Sequence, residues 1–160
     1  MTHEVLPSGS TIGILGGGQL GRMLAMAAAR LGYKTRIFEP AATAPAGDVA
    51  LSVTHASYED HAALKDFALA CDVLTFEFEN IPADALALLE EARPLFPARN
   101  ALEVSQDRLV EKDFLNSLGL KTAPYAAIDS AADLKGALAQ TGCPAILKTR
   151  RFGYDGKGQA

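Results

Sequence analysis

The stretch Thr11-Ile-Gly-Ile-Leu-Gly-Gly-Gly-Gln-Leu-Gly-Arg22 narrows the folds open to this chain more than any other. Ile12, Ile14 and Leu15 read as a buried parallel strand. Gly16, Gly18 and Gly21 follow as G-x-G-x-x-G, and Leu20, Leu24 and Ala27–Ala28 open a helical period that runs to Leu31. Glycine lets the chain turn sharply out of a strand and lets backbone N–H groups approach an anion, and the N-terminus of the following helix adds partial positive charge. A strand, a glycine loop and a helix in that order are the first unit of a doubly wound α/β sheet. The loop alone does not choose among dinucleotides, nucleotides and sugar phosphates. A tight turn that binds nothing has the same outline.

The rest of the chain supports a folded α/β body. Its 160 residues are one domain, or one and a piece, and 49% of them are hydrophobic, enough for a core. No run of 18 apolar residues is present, and residues 1–10 lack the basic and apolar regions of a secretory signal. These features imply a soluble, cytoplasmic protein. Cys71 and Cys143 have no metal-ligand spacing and read as small buried hydrophobes, and His3, His55 and His61 form no ligand cluster.

After the first helix, Gly32 is the expected C′ residue and Lys34–Glu39 a short strand stopped by Pro40. Glu39 stands eighteen residues after Gly21, near where a dinucleotide fold places its ribose-binding acid, so NAD binding is open at this point. Ala50–Val53 reads as a weak third strand and Asp60–Ala70 as a helix with Ala63, Leu64, Phe67 and Ala68 inward. Asp72–Asn80 (DVLTFEFEN) reads as a central strand with Glu77 and Glu79, two apart, on one side of its carboxyl end. In open α/β sheets ligands sit outside those ends, where carboxylates accept hydrogen bonds from hydroxyl or amino groups. The competing explanation is the acid preference of the next helix start, with Asn80 as N-cap before Ile81-Pro82.

Ala83–Ala92 reads as an amphipathic helix and Pro94–Pro97 as a short strand, and Asn100 caps a brief turn. A helix from Ser105 to about Leu118 has Leu109, Val110, Phe114 and Leu118 inward, with Arg108 and Lys112 four apart. Gly119 and Pro124 end it, and a change of rhythm there marks a domain boundary. Tyr125–Ile128 and Pro144–Thr149 read as strands around a helix capped by Ser130.

Charge divides along the same line. Residues 1–120 carry 9 Lys/Arg against 16 Asp/Glu, and residues 121–160 carry 6 against 3, within a net charge of −4. The acidic body argues against a nucleic-acid groove. Lys148, Arg150, Arg151 and Lys157 lie within ten residues among glycines, which suits an anion such as phosphate. The loop Arg150–Gln159 is not a Walker A motif, because Gly158 stands where Ser or Thr would bind a metal. A lysine on a strand followed by a basic glycine-rich flap suits a nucleoside triphosphate, whose phosphates take backbone amides and lysine charge. A plain hairpin tip is the alternative.

Together, Gly13-Ile-Leu-Gly-Gly-Gly-Gln-Leu-Gly-Arg-Met23, Thr75-Phe-Glu-Phe-Glu-Asn80, Gln106-Asp-Arg-Leu109 with Lys112, and Lys148 followed by Gly153-Tyr-Asp-Gly-Lys-Gly-Gln159 resemble the N5-carboxyaminoimidazole ribonucleotide synthetase family of ATP-grasp ligases. The order agrees across nearly the whole chain. The resemblance implies a Rossmann-like pre-ATP-grasp domain over residues 1–103, a boundary helix over 104–122, and the beginning of an ATP-grasp domain over 123–160.

It further implies carboxylation of 5-aminoimidazole ribonucleotide with bicarbonate, driven by ATP with Mg²⁺, in a homodimer that uses neither nucleic acid nor membrane. Other ATP-grasp carboxylases or formyltransferases are the nearest alternatives, and an NAD(P)-binding oxidoreductase domain is a more distant one. By the family pattern Arg108 and Lys148 contact ATP, and Gly153, Tyr154, Asp155, Gly156, Lys157, Gly158 and Gln159 form the loop over its phosphates. Gly16, Gly17, Gly18, Gln19 and Leu20, with Glu77 and Glu79, then serve the ribonucleotide. The family's acidic Mg²⁺ ligands and catalytic residues have no counterpart in these residues. The chain is therefore expected to be an N-terminal fragment, inactive by itself and a poor binder of ATP.

Overall fold

Alternation along the first strand decides the layering. The computed structural model describes residues 5–153 and 157–160. Strand β1 (Thr11–Leu15) is flanked by β2 (Lys34–Phe38) on one side and β4 (Val73–Phe76) on the other, and β3 (Ser52–Thr54) pairs with β2. All pairings are parallel, in the order β3-β2-β1-β4. Successive strand side chains point to opposite faces. Ile14 and Ile37 therefore pack with Ala25 of helix α1 (Gln19–Arg30) and with Ala46 of a 3-10 turn at Pro45–Asp48. Leu15, Phe38 and Leu74 pack on the other face, with Leu64 and Phe67 of α2 (His61–Leu69) and with Leu86 and Leu89 of α3 (Ala83–Ala92). The result is a parallel sheet between two layers, as the strand–helix alternation requires.

The chain divides into two compact units, Met1–Leu102 and Glu103–Ala160. The first contains the sheet, α1 to α3 and nearly all the fully buried side chains. The second contains α5 (Arg108–Ser117), a 3-10 turn at Ala131–Asp133 and α6 (Leu134–Thr141), and the division falls within α4 (Arg99–Ser105). Asp107 caps α5 by accepting the Leu109 and Val110 N–H groups at 2.9 and 3.3 Å. Ser130 and Asp133 close a reciprocal capping box before α6.

Several local expectations change. The buried side of α1 is Gly21, Ala25 and Ala28, while Leu20 and Leu24 are exposed, because the helix lies too close to β1 for branched side chains. β4 is the terminal strand of the four, extended only by a bridge from Leu74 to Leu95, and Pro94–Pro97 forms no strand of its own. Pro82 rather than Asn80 occupies the N-cap of α3. The helix expected from Ser105 begins at Arg108, because Asp107 takes up a capping conformation, and Ser105 instead ends α4, a helix where the sequence implies only a brief turn at Asn100. In α5 no residue is buried, and Val110, Phe114 and Leu118 are exposed. Tyr125–Ile128 forms no strand, and Pro144–Thr149 contributes only the antiparallel bridge Lys148–Gln159. Extended segments are strands only where a partner backbone is in register, which propensity does not supply. Of the two free cysteines, Cys71 is buried as expected and Cys143 is exposed.

Among the described residues no helix is long and apolar enough to cross a membrane.

Candidate functional site

The carboxyl ends of β1, β2 and β4 meet around the glycine loop. Gly16 leaves β1 with φ +109°, its N–H donating to the Phe38 carbonyl at 2.9 Å. That conformation is open to glycine and strained for other residues. Gly21 enters α1 so close beneath the loop that a Cβ there would lie 2.4 Å from the Gly16 carbonyl oxygen. These two positions carry the physical demand of the motif: a reversed turn, and a helix start pressed against it.

The exposed-amide site expected of such a loop is already occupied by the chain's own acids. The Gly17 N–H donates to Glu39 Oε2 at 2.7 Å, and the Gly18 N–H donates to Glu77 Oε1 at 3.2 Å. Glu39 accepts a second N–H, from Ala41, at 2.9 Å. The acid whose position suggested NAD therefore faces inward and is held on the loop's own Gly17 amide. Gly18 and Glu77 stand at the same edge of the sheet, as the fold reading requires. Glu77 is half-buried there. Glu79 is exposed beyond the end of β4, so the expected shared side of a single strand does not form. Gln19 and Leu20 lie exposed in the first turn of α1.

Tyr58, which the motifs did not single out, completes the cluster. Its ring is stacked between Phe38 (centroids 5.5 Å apart) and Phe78 (5.6 Å), the chain neighbours of Glu39 and Glu77. The side chain is buried and its hydroxyl has no hydrogen-bond partner. Burial lifts the phenol pKa well above its ordinary value, and the charges of Glu39 and Glu77 lift it further. Ser57-Tyr-Glu-Asp60 carries no local signal for this role. The stacking on two separate strand ends exists only in three dimensions.

The second unit gathers the residues expected at ATP. The Thr149 N–H donates to the Gly158 carbonyl at 2.8 Å, and Leu147 and Ala160 exchange both backbone hydrogen bonds, so residues 147–149 and 158–160 form the base of a hairpin. The Arg108 N–H donates to the Arg150 carbonyl at 2.9 Å, which sets the first turn of α5 against the segment that carries Lys148. The Arg108 and Lys148 side chains are exposed. Arg150 is directed to acids, 3.2 Å from Asp107 and 3.5 Å from Asp129, and Arg151 donates to Gln106 Oε1 at 2.7 Å. The expected anion patch is thus reduced by internal pairing. Gly153, Lys157, Gly158 and Gln159 are placed around the hairpin, while Tyr154, Asp155 and Gly156 lie outside the described residues. Among the described residues no group of three or more His, Cys, Asp or Glu side chains gathers to hold a metal ion.

Comparison with known proteins follows the same division. Residues 9–106 match the ribonucleotide synthetase preATP-grasp domain and residues 113–160 the ATP-grasp domain. The chain is 55% identical over 159 residues to an N5-carboxyaminoimidazole ribonucleotide synthase of Brucella melitensis, covering 99% of this chain and 44% of the relative. It superposes with a TM-score of 0.92 on N5-carboxyaminoimidazole synthetase from Staphylococcus aureus complexed with ADP, at 44% identity, covering 96% of this chain and 41% of that one. The Aspergillus clavatus synthase in complex with ADP and 5-aminoimidazole ribonucleotide superposes with a TM-score of 0.82 at 27% identity, covering 96% and 40%. The chain thus spans less than half the length of the relatives it matches. With the glycine loop, the parallel sheet and the Glu77 edge all inside the matched residues 9–106, the chain belongs to the ribonucleotide synthetase preATP-grasp domain family.

Proposed function

We propose that this chain provides the ribonucleotide-binding domain and the first ATP-contacting residues of an N5-carboxyaminoimidazole ribonucleotide synthase. The observation that carries this is the 55% identity to the Brucella synthase across 99% of the chain, which takes in both loops. In the reaction, a bicarbonate oxygen attacks the γ-phosphorus of ATP, giving ADP and carboxyphosphate. The exocyclic amine of 5-aminoimidazole ribonucleotide then attacks the carboxyl carbon, and phosphate leaves. The family pattern assigns ATP to Arg108, Lys148 and the loop 153–159. The geometry supports that assignment, because Arg108 and the Lys148 hairpin are joined through the Arg150 backbone. The family pattern assigns the ribonucleotide to Gly16–Leu20, Glu77 and Glu79. A phosphate suits the N-terminus of α1, and a half-buried carboxylate suits ribose hydroxyls or the amine. Mg²⁺, bicarbonate, a homodimer and a cytoplasmic location belong to this proposal as properties of the whole enzyme.

The test is a chimaera in which this chain replaces the matching 44% of the Brucella enzyme. ADP release that requires both 5-aminoimidazole ribonucleotide and bicarbonate is the expected outcome, and release with a formyl donor or another amine in their place would favour a different ATP-grasp ligase. In the same chimaera Arg108→Ala should raise the KM for ATP at least about tenfold, the loss of one charge-assisted hydrogen bond of roughly 1.5–3 kcal/mol, and leave the KM for the ribonucleotide nearly unchanged. An unaltered KM for ATP would remove Arg108 from the site.

A further inference from the structure

The glycine-loop amides and the Tyr58 hydroxyl are unequally matched. Gly18 N–H, at the start of the 12-residue helix α1, is taken by Glu77, while the buried Tyr58 hydroxyl has no partner. A buried hydroxyl that hydrogen-bonds to nothing carries a desolvation penalty, and such groups are rare in folded proteins. The two carboxylates near it are not equally held. Glu39 accepts two backbone N–H groups, at 2.7 and 2.9 Å, whereas Glu77 has the single longer contact of 3.2 Å. Phe78, next to Glu77, lies nearly coplanar with the Tyr58 ring (12°), which ties the phenol to the segment that would move. The phenol also senses the charge of both acids.

We propose that Tyr58 is a positioning residue for Glu77: when the phosphate of a ribonucleotide takes the Gly18 N–H, the released Glu77 carboxylate accepts a hydrogen bond from the Tyr58 hydroxyl. This rests on the ribonucleotide assignment made above. A phosphate dianion at a helix N-terminus outcompetes a monoanionic carboxylate for the amide. The displaced carboxylate is half-buried beside Glu39 and costs free energy unless a donor receives it. The phenol is that donor, and it leaves the second Glu77 oxygen open to a ligand hydroxyl. Glu39 keeps its two amides and holds the loop in shape throughout.

The arrangement predicts effects of opposite sign from Tyr58→Phe in the 160-residue chain. Without ligand, removing an unsatisfied hydroxyl raises Tm by about 4 °C or more. With ribose 5-phosphate as the probe, Kd read from amide NMR shifts at Gly18 weakens about tenfold. In a Glu77→Gln background Tyr58→Phe has little further effect on Kd, because the partner carboxylate is gone. A fall in Tm would overturn the inference, since the hydroxyl would then be satisfied in the resting state. So would an unchanged Kd in a variant whose wild-type counterpart binds, or full additivity of the two substitutions, and the ribonucleotide assignment would survive both results. Failure of the wild-type chain to shift at Gly18 with ribose 5-phosphate would overturn that assignment, and the role of Tyr58 with it.

Discussion

Single residues at the loop tolerate change according to what stands within a methyl group of them. At Gly21 a Cβ would meet the Gly16 carbonyl oxygen at 2.4 Å, and neither backbone can retreat without opening the β1–α1 junction. Gly21→Ala should therefore cost about 3 kcal/mol and lower Tm by roughly 10 °C or more. At Gly18 the nearest atom is Glu77 Oε1 at 3.3 Å, the tip of a side chain, so Gly18→Ala should shift Tm by no more than about 3 °C. Thermal melts of the two variants give the comparison, and equal losses would show that helix approach is not the constraint. The cysteines provide a second contrast. Burial pushes the Cys71 thiol up to about 11, with Asp72 adding to the rise and Arg36 and Arg93 opposing it, while Cys143 is exposed. Iodoacetamide at pH 8 should label Cys143 within minutes and Cys71 only on unfolding, as read by mass spectrometry.

Among the elements, α5 depends on its cap more than on burial. None of its residues is buried, so its first turn rests on Asp107. Partial desolvation raises the Asp107 pKa, but the Val110 N–H, the Arg150 guanidinium and the Leu109 N–H outweigh it and hold the carboxyl below its ordinary 3.8. A carboxylate depressed in the folded state stabilises above its unfolded pKa and loses that contribution as pH falls through the folded one. Amide exchange at residues 108–111 should therefore be slow and pH-independent in its protection above about pH 5, with protection lost below about pH 4. Asp107→Asn, which keeps an acceptor without a charge, should abolish that acid-dependent loss, and Asp107→Ala should cost about 1 kcal/mol of local stability at neutral pH. An acid transition that persists in Asp107→Asn would assign it to another group.

For the whole molecule, the buried apolar residues are concentrated in the first unit. Nine large side chains, Phe38, Ile14, Leu15, Ile37, Leu64, Leu74, Ile81, Leu86 and Leu89, are fully buried, and all lie within Met1–Leu102. Among the described residues of Glu103–Ala160 the buried hydrophobic residue is Ala137, while Phe114, Leu118, Ile146, Leu147 and Phe152 are exposed. Hydrogen exchange on the 160-residue chain should find its most protected amides in β1, β2 and β4, with α5 and α6 exchanging at least about a hundredfold faster. Residues 1–120 alone should keep the melting transition of the whole chain. Because the unit that carries Arg108 and Lys148 buries little apolar surface, isothermal titration of the chain with Mg·ATP should show no micromolar binding. Equal protection in the two units would contradict this picture.

What was legible in the sequence is what depends on neighbours along the chain. The strand–glycine–helix unit, the parallel alternation, the extent of α3 and the cap at Ser130 follow from periodicity and from residues a few positions apart. The placement of the glycine loop beside Glu77 followed from strands running parallel, which brings their carboxyl ends together. Tertiary structure decided what depends on distance through space. It turned α1 so that Gly21, Ala25 and Ala28 rather than Leu20 and Leu24 face the sheet, and it put β4 at the end of the order. It also directed Glu39 onto the Gly17 amide and stacked the Tyr58 ring on Phe38 and Phe78, next to the two acids, with its hydroxyl left without a partner. Glu39 and Tyr58 lie 22 and 41 positions from Gly17, and neither contact has a local propensity behind it. They form because the packing of the sheet edges brings segments distant in sequence within reach of one another.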